Sequence, residues 1–181
     1  MEKIAKIYVA GHNGLVGSAI VRALKKEGYS NIVFKSSKEL DLRNQKATDE
    51  FFSNEKPEYV FLAAAKVGGI KANMENPADF IYNNLQIQNN IIHSSWKHNV
   101  KKLLFLSSNC VYPKDASQPY KEESILTGPP EQTNEFYAIA KLSGMKLCQA
   151  YNFQYKTNFI IAIPASLFGQ NDDFYSKNSH L

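Results

Sequence analysis

Five short apolar runs, KIYVAG, NIVFKS, YVFLAAA, KLLFLSS and NFIIAIPAS, recur along the chain. Each is too continuously apolar to be a strand with one wet face, and buried parallel strands read this way. The stretches between them, Leu15 to Glu27, Gln45 to Asn54, Pro77 to His98 and Asn134 to Gln154, return an apolar residue every three or four positions. That is the period of a helix, at lengths suited to crossing from one parallel strand to the next. Strand and helix in alternation predict an α/β fold with a doubly wound parallel sheet. One long irregular piece interrupts the pattern: Tyr112 to Thr133 holds four of the seven prolines. It follows the fourth strand, where sheets of this kind bind their ligands, and is expected to be an active-site loop.

Composition narrows the class. At 181 residues the chain suits one well-buried domain. Apolar residues make up 44% and charged residues 21%. No run approaches the roughly 18 uncharged apolar residues that a membrane helix needs. MEKIAKIYVAG leads straight into a strand, without the order of a signal peptide, so a cytoplasmic protein with no membrane partner is expected. The net charge of +4 is scattered rather than gathered into a stripe, which argues against nucleic acid. Cys110 and Cys148 lie far apart and outside any His/Cys cluster, so neither a metal site nor a disulfide is expected.

After the first strand, AGHNGLVGSAI carries glycines at 11, 14 and 17 and opens the first helix. Glycine permits the tight turn, lets backbone approach a pyrophosphate, and allows helix to pack closely on strand; the helix amino terminus then faces the negative charge. Residues 11–17 (Gly11, His12, Asn13, Gly14, Leu15, Val16, Gly17) are therefore read as a dinucleotide loop, and the sheet as Rossmann-type. Beyond the second strand, FKSSKEL offers Lys35, Ser36, Ser37 and Lys38 to a ribose phosphate, while Glu39 comes late. This favours NADP over NAD, although both lysines also read as solvated strand-end charges. Asp41 and Leu42 are candidate adenine contacts, and Ala63, Ala64 and Ala65 would let a cofactor lie close.

Ser107 and Ser108 end the fourth strand, and the helix NEFYAIAKLSGMKLC follows the long loop with Tyr137 and Lys141 four positions apart. At that spacing the two share a helix face, roughly 6 Å apart along the axis. Taken alone the pair is an ordinary surface pair. Ordered behind the glycine loop and the strand-end serines, it is a set for carbonyl reduction: Ser108 binds the carbonyl oxygen, Tyr137 supplies the proton, and Lys141 lowers the Tyr137 pKa.

GHNGLVGSAI, LAAAKVGGIKAN, PADFIYNN, KLLFLSSNCVYP, NEFYAIAKLSGMKLC and the terminal NSH together resemble the extended short-chain dehydrogenase/reductases, and within them the GDP-L-fucose synthase family. The resemblance implies an NADPH-dependent conversion of GDP-4-dehydro-6-deoxy-D-mannose to GDP-L-fucose, by epimerisation at carbons 3 and 5 and reduction of the carbon 4 ketone. It also implies that Cys110 and His180 form the acid–base pair of epimerisation, and that Leu106, Ser107, Ser108, Pro164, Ala165, Ser166, Leu167, Lys141 and His180 contact the cofactor. The residues themselves allow plainer roles, Cys110 as packing and His180 as tail. Asn13 and Ser37 stand where that family can carry arginine, which shifts phosphate recognition toward Lys35, Lys38 and the serines. A homodimer through the helices at 77–98 and 134–154 is implied as well.

The resemblance further implies a division into a cofactor domain at 1–170 and, at 171–181, the start of a substrate-binding region cut short. Two other readings stand beside the synthase: a dinucleotide-binding module without turnover, and another NAD(P)-dependent nucleotide-sugar epimerase or dehydratase.

Overall fold

A computed structural model describes residues 1–172. Five parallel strands, β1 (Ile7–Ala10), β2 (Ile32–Val33), β3 (Tyr59–Leu62), β4 (Lys102–Leu106) and β5 (Phe159–Ala162), lie in the order β2-β1-β3-β4-β5. Register pairs Ala10 with Leu62 and Leu106 with Ala162, so the strands end along one edge. The predicted doubly wound sheet is thus present, although β2 is only two residues long, shorter than its apolar run.

Helices α1 (Leu15–Lys26), α2 (Gln45–Glu55), α4 (Pro77–Lys97) and α5 (Glu135–Tyr155) fall where the period placed them, with ends moved by one residue or so. A further short helix, α3 (Ile70–Glu75), was not expected. The run VGGIKANMEN has too few turns to show a period, and its helix is tied down by the Asn73 amide, which donates to the Gly68 and Gly69 carbonyls. Between 112 and 133 the chain is irregular as expected, with one 3-10 turn at Glu122–Ser124 and a second, Gln132–Asn134, leading into α5.

Alternation along the strands sends side chains to two faces. Tyr8, Ala10, Val60, Leu62, Leu103 and Phe105 face the larger core with Ile91, Ile92, Leu142 and Met145 of α4 and α5. Ile7 and Val9 face the smaller core with Leu24 of α1. Full burial of side chains this size stabilises by about 1.5–3 kcal/mol each, and that holds α5 on the sheet where its polar residues are needed. No helix among the described residues is long and apolar enough to cross a membrane.

Candidate active site

The chain leaves β1 in one direction to reach β2 and crosses back to β3 on the other side, which opens a crevice at the strand ends between β1 and β3. The glycine loop fills its floor. Gly11 has φ +87°, and a Cβ there would lie 2.6 Å from the Ala64 nitrogen and 2.8 Å from the Ala63 carbonyl carbon. A Cβ on Gly17 would sit 2.1 Å from the Gly11 carbonyl oxygen. These two glycines are demanded by the protein's own packing. Gly14 is different: a Cβ would meet only the Gly11 oxygen, at an ordinary 3.6 Å. Its missing side chain leaves open the approach to the amino end of α1, whose cap residue it is and which carries no acidic residue in its first turn. An anion is what such a cradle fits. A Cβ added to Gly169, which follows the 164–167 segment, would lie 3.5 Å from Leu15 Cδ1, so that segment passes beside the loop.

Along the crevice the expected ribose contacts are largely tied to one another. Ser36 donates to Glu39 through both its backbone N–H, at 2.8 Å, and its hydroxyl, at 2.6 Å. Lys35 Nζ stands 3.9 Å from the same carboxylate. The Ser36 hydrogen bonds, with help from Lys35 and His12, hold the Glu39 carboxyl below its usual range. Ser37 and Lys38 are exposed. The His12 ring stacks on Phe34, centroids 4.5 Å apart, and its Nδ1 is buried without a partner. Asp41 is gripped by Arg43, with Nη2 to Oδ2 at 2.8 Å, while Arg43 Nη1 reaches Asn83 Oδ1 at 2.9 Å. Leu42 turns its side chain toward the core. Arg43 was not singled out from sequence, because the pairing depends on the turn that follows Leu40.

At the end of β4 the predicted reacting groups come together. Lys141 is 4% exposed; its Nζ donates to the Leu106 carbonyl at 2.9 Å and stands 5.0 Å over the Phe105 ring and 5.8 Å over the Tyr137 ring. Ser108 Oγ accepts from the Cys110 backbone N–H at 3.4 Å, starting the turn Asn109–Val111. Ser107 is buried and its hydroxyl points away, to Met145 Sδ at 3.1 Å. The seat of α5 is close: Gly144 lies under Phe105 and Gln88, where a Cβ would come within 2.5 Å and 2.8 Å of their side-chain atoms. Gln88 itself is buried and donates to the Ala140 carbonyl at 2.7 Å. Behind β3, buried Asn84 clamps the Lys66 peptide, accepting from its N–H and donating to its C=O, each at 2.9 Å.

The electrostatics depart from expectation in one respect. Burial pulls the Lys141 ammonium down to about 8, with nearby Cys110 opposing. Tyr137 is not lowered; burial first, and Cys110 second, push its phenol upward. Lys141 spends its hydrogen bond on Leu106 rather than on the phenol, and the cost of burying a phenolate outweighs a cation 5.8 Å from the ring. Burial likewise raises the Cys110 thiol, against smaller lowering effects of Ser108 and Lys141. His180 lies outside the described residues.

Comparison with known proteins agrees with this arrangement. A GDP-L-fucose synthase of Arabidopsis thaliana, described as putative, is 59% identical over 181 residues, covering 100% of this chain and 55% of its own length. Among solved structures, a GDP-D-glycero-L-gluco-heptose synthase from Campylobacter jejuni, in the presence of NADPH, superposes with a TM-score of 0.96 at 46% identity, covering 100% of this chain and 53% of that one. A GDP-L-fucose synthetase from Naegleria fowleri bound to NADP gives a TM-score of 0.91 at 34% identity, covering 99% and 56%. The chain spans about half the length of the curated relatives it matches. The profile of the NAD dependent epimerase/dehydratase family matches residues 7–181, and with the glycine cradle, the parallel sheet and the tyrosine–lysine pair in place, the chain belongs to that family.

Proposed function

We propose that this chain forms the NADP-binding domain, residues 1–170, and the reducing half of the active site of an epimerase/reductase that converts GDP-4-dehydro-6-deoxy-D-mannose to GDP-L-fucose. The observation that carries this reading is the convergence of Ser108, Cys110, Tyr137 and Lys141 at the end of β4, beside the β1–β3 crevice. Relatives named for GDP-L-fucose synthesis support the substrate class.

The Gly11–Gly17 loop would hold NADPH, with Lys35 and Ser36 available to its ribose phosphate, and the bound cofactor would supply the hydride. Tyr137, its pKa raised, keeps its proton at neutral pH and gives it to the ketone oxygen. Ser108 Oγ, just beyond the end of β4, donates a hydrogen bond to that oxygen. Lys141, still mostly protonated near pH 7, lies close enough to favour the charge that develops there. Carbons 3 and 5 flank the ketone, so their protons are acidified. Cys110, a thiol held protonated by burial, suits the acid of that exchange. Assigning the base to His180 rests on resemblance.

Calorimetric titration of the 181-residue chain with NADPH tests the reading: saturable binding, tighter for NADPH than for NADH, is expected, and no binding of either would overturn it. Since the chain spans about half the length of its relatives, a second reading applies to the 181 residues alone: cofactor binding without turnover. Efficient GDP-fucose formation by this chain would reject that second reading. We also infer pairing of two copies through α4 and α5, whose outward side chains include Tyr82 and Phe153, 61% and 82% exposed; a sedimentation coefficient of a monomer at micromolar concentration would refute it.

A further inference from the structure

Of the groups that the turn after β2 offers to a ribose phosphate, Lys35 and Ser36 already serve an anion of the chain's own. Glu39 folds back so that its Oε2 accepts from the Ser36 N–H, at 2.8 Å, and from the Ser36 hydroxyl, at 2.6 Å. Its other oxygen stands 3.9 Å from Lys35 Nζ. A backbone N–H, a hydroxyl and an ammonium around one oxyanion are the donors that a phosphate monoester takes. The turn also lies against the glycine loop, because Phe34, the residue before Lys35, stacks on the His12 ring.

The plain reading of Ser-x-x-Glu is a capping box, in which the serine hydroxyl accepts from the glutamate N–H where a helix starts. The contacts are different here. Residues 37–39 make a single turn, and the next helix, α2, begins at Gln45. The Glu39 N–H goes to the Ser36 carbonyl at 3.0 Å, and the hydroxyl donates to the carboxylate instead of accepting. Nor does core packing hold the carboxylate in place, since the Glu39 side chain is 57% exposed. The Ser36 bonds keep its carboxyl below the usual range, so it is ionised at neutral pH.

We propose that Glu39 is a specificity-determining residue, an internal stand-in for phosphate that narrows the preference of this chain for NADP over NAD. The assignment rests on the cofactor reading above and adds a residue to it. NADP would have to displace the carboxylate from Ser36 and Lys35 and then bind beside it, a phosphate dianion next to an anion. NAD carries a 2′-hydroxyl at that point, a donor that an ionised carboxylate accepts, and it leaves the Glu39 contacts in place. Repulsion at short range thus weighs on one cofactor alone.

The test is calorimetric titration of the 181-residue chain, as wild type, Glu39→Gln and Glu39→Ala, with NADPH and with NADH at one low ionic strength. Removing a unit charge close to a phosphate dianion at a protein surface is worth about tenfold in affinity. Both variants should therefore bind NADPH about tenfold more tightly than the wild type and NADH no more tightly, and the gain should shrink in high salt. Adenosine 2′,5′-bisphosphate against adenosine 5′-monophosphate should reproduce the difference without the nicotinamide half. Glu39→Gln keeps the length of the side chain and one acceptor, which separates loss of charge from loss of the turn. An affinity ratio that is the same in all three proteins would overturn the proposal. So would weaker NADPH binding in Glu39→Ala, the result expected of a carboxylate that only braces the Ser36 turn. Binding of both cofactors at an unchanged ratio sinks the role of Glu39 alone, whereas no binding of either to wild type or variants sinks the cofactor reading and this proposal with it.

Discussion

Lys141→Met replaces a buried ammonium with an uncharged chain of similar length that can keep the packing against Phe105. The ammonium has been pulled from its ordinary 10.5 to about 8 by burial. In the pH range between those values the unfolded chain binds more protons than the folded one, so the contribution of Lys141 to stability rises with pH. This is the reverse of a lysine that gains a partner. At about 1.4 kcal/mol per pKa unit, the buried charge costs about 3 kcal/mol at pH 7, about 2 at pH 9 and about 1 at pH 10. The variant loses the Leu106 hydrogen bond, an offset of about 1–3 kcal/mol that barely changes with pH. Urea unfolding followed by circular dichroism at pH 7, 8, 9 and 10, for both proteins, gives the difference. Tyr8, Tyr137, Cys110 and Cys148, all raised by burial, bend each curve at high pH, but largely cancel between them. The variant should lose about 2 kcal/mol of stability relative to the wild type between pH 7 and 10. Parallel curves would mean that Lys141 titrates as an exposed lysine does, and the account of a charge kept buried for its chemistry would fail.

The two kinds of glycine should separate cleanly. Gly17→Ala drives a Cβ into the Gly11 carbonyl and should cost several kcal/mol in urea unfolding, whereas Gly14→Ala should leave the melting temperature within a few degrees while weakening NADPH binding at least tenfold. Asn84→Ala removes both halves of the clamp on the Lys66 peptide and should destabilise by about 2–4 kcal/mol in the same assay; a loss under 0.5 would show the clamp idle. In a full-length relative, the equivalent of Tyr137→Phe should abolish NADPH oxidation with the 4-keto sugar, and normal turnover would remove Tyr137 from its role. Cys110→Ser should slow solvent deuterium exchange at carbons 3 and 5 more than hydride transfer; equal losses would count against a separate role for the thiol.

The strands and long helices were legible because each buries a face, and burial writes a period into the sequence over ten or more residues. Helix α3 was not, since six residues after two glycines carry no period and owe their conformation to the Asn73 amide. At the site, the order of glycine loop, Ser108, Tyr137 and Lys141 could be read because it follows the chain. What could not be read is direction. Tyr137 moves up because the phenol is buried and the cation faces a carbonyl, and neither fact is in the four-residue spacing. The Asp41–Arg43 grip and the turn of Glu39 back onto Ser36 likewise depend on how tightly a loop folds.

Gly144 lies two turns from Tyr137, and where it sits there is no space for a methyl group between α5, Phe105 and Gln88. The helix therefore rests on the sheet at a height fixed by a residue with no side chain, and the phenol at its far end inherits that height. Gly144 acts as a shim. Any larger residue would tilt α5 outward about this contact and shift the Tyr137 phenol, the proton donor in the proposed reaction, relative to the end of β4. The tolerance of that proposed step for misplacement would thus be set at a position remote from the phenol itself.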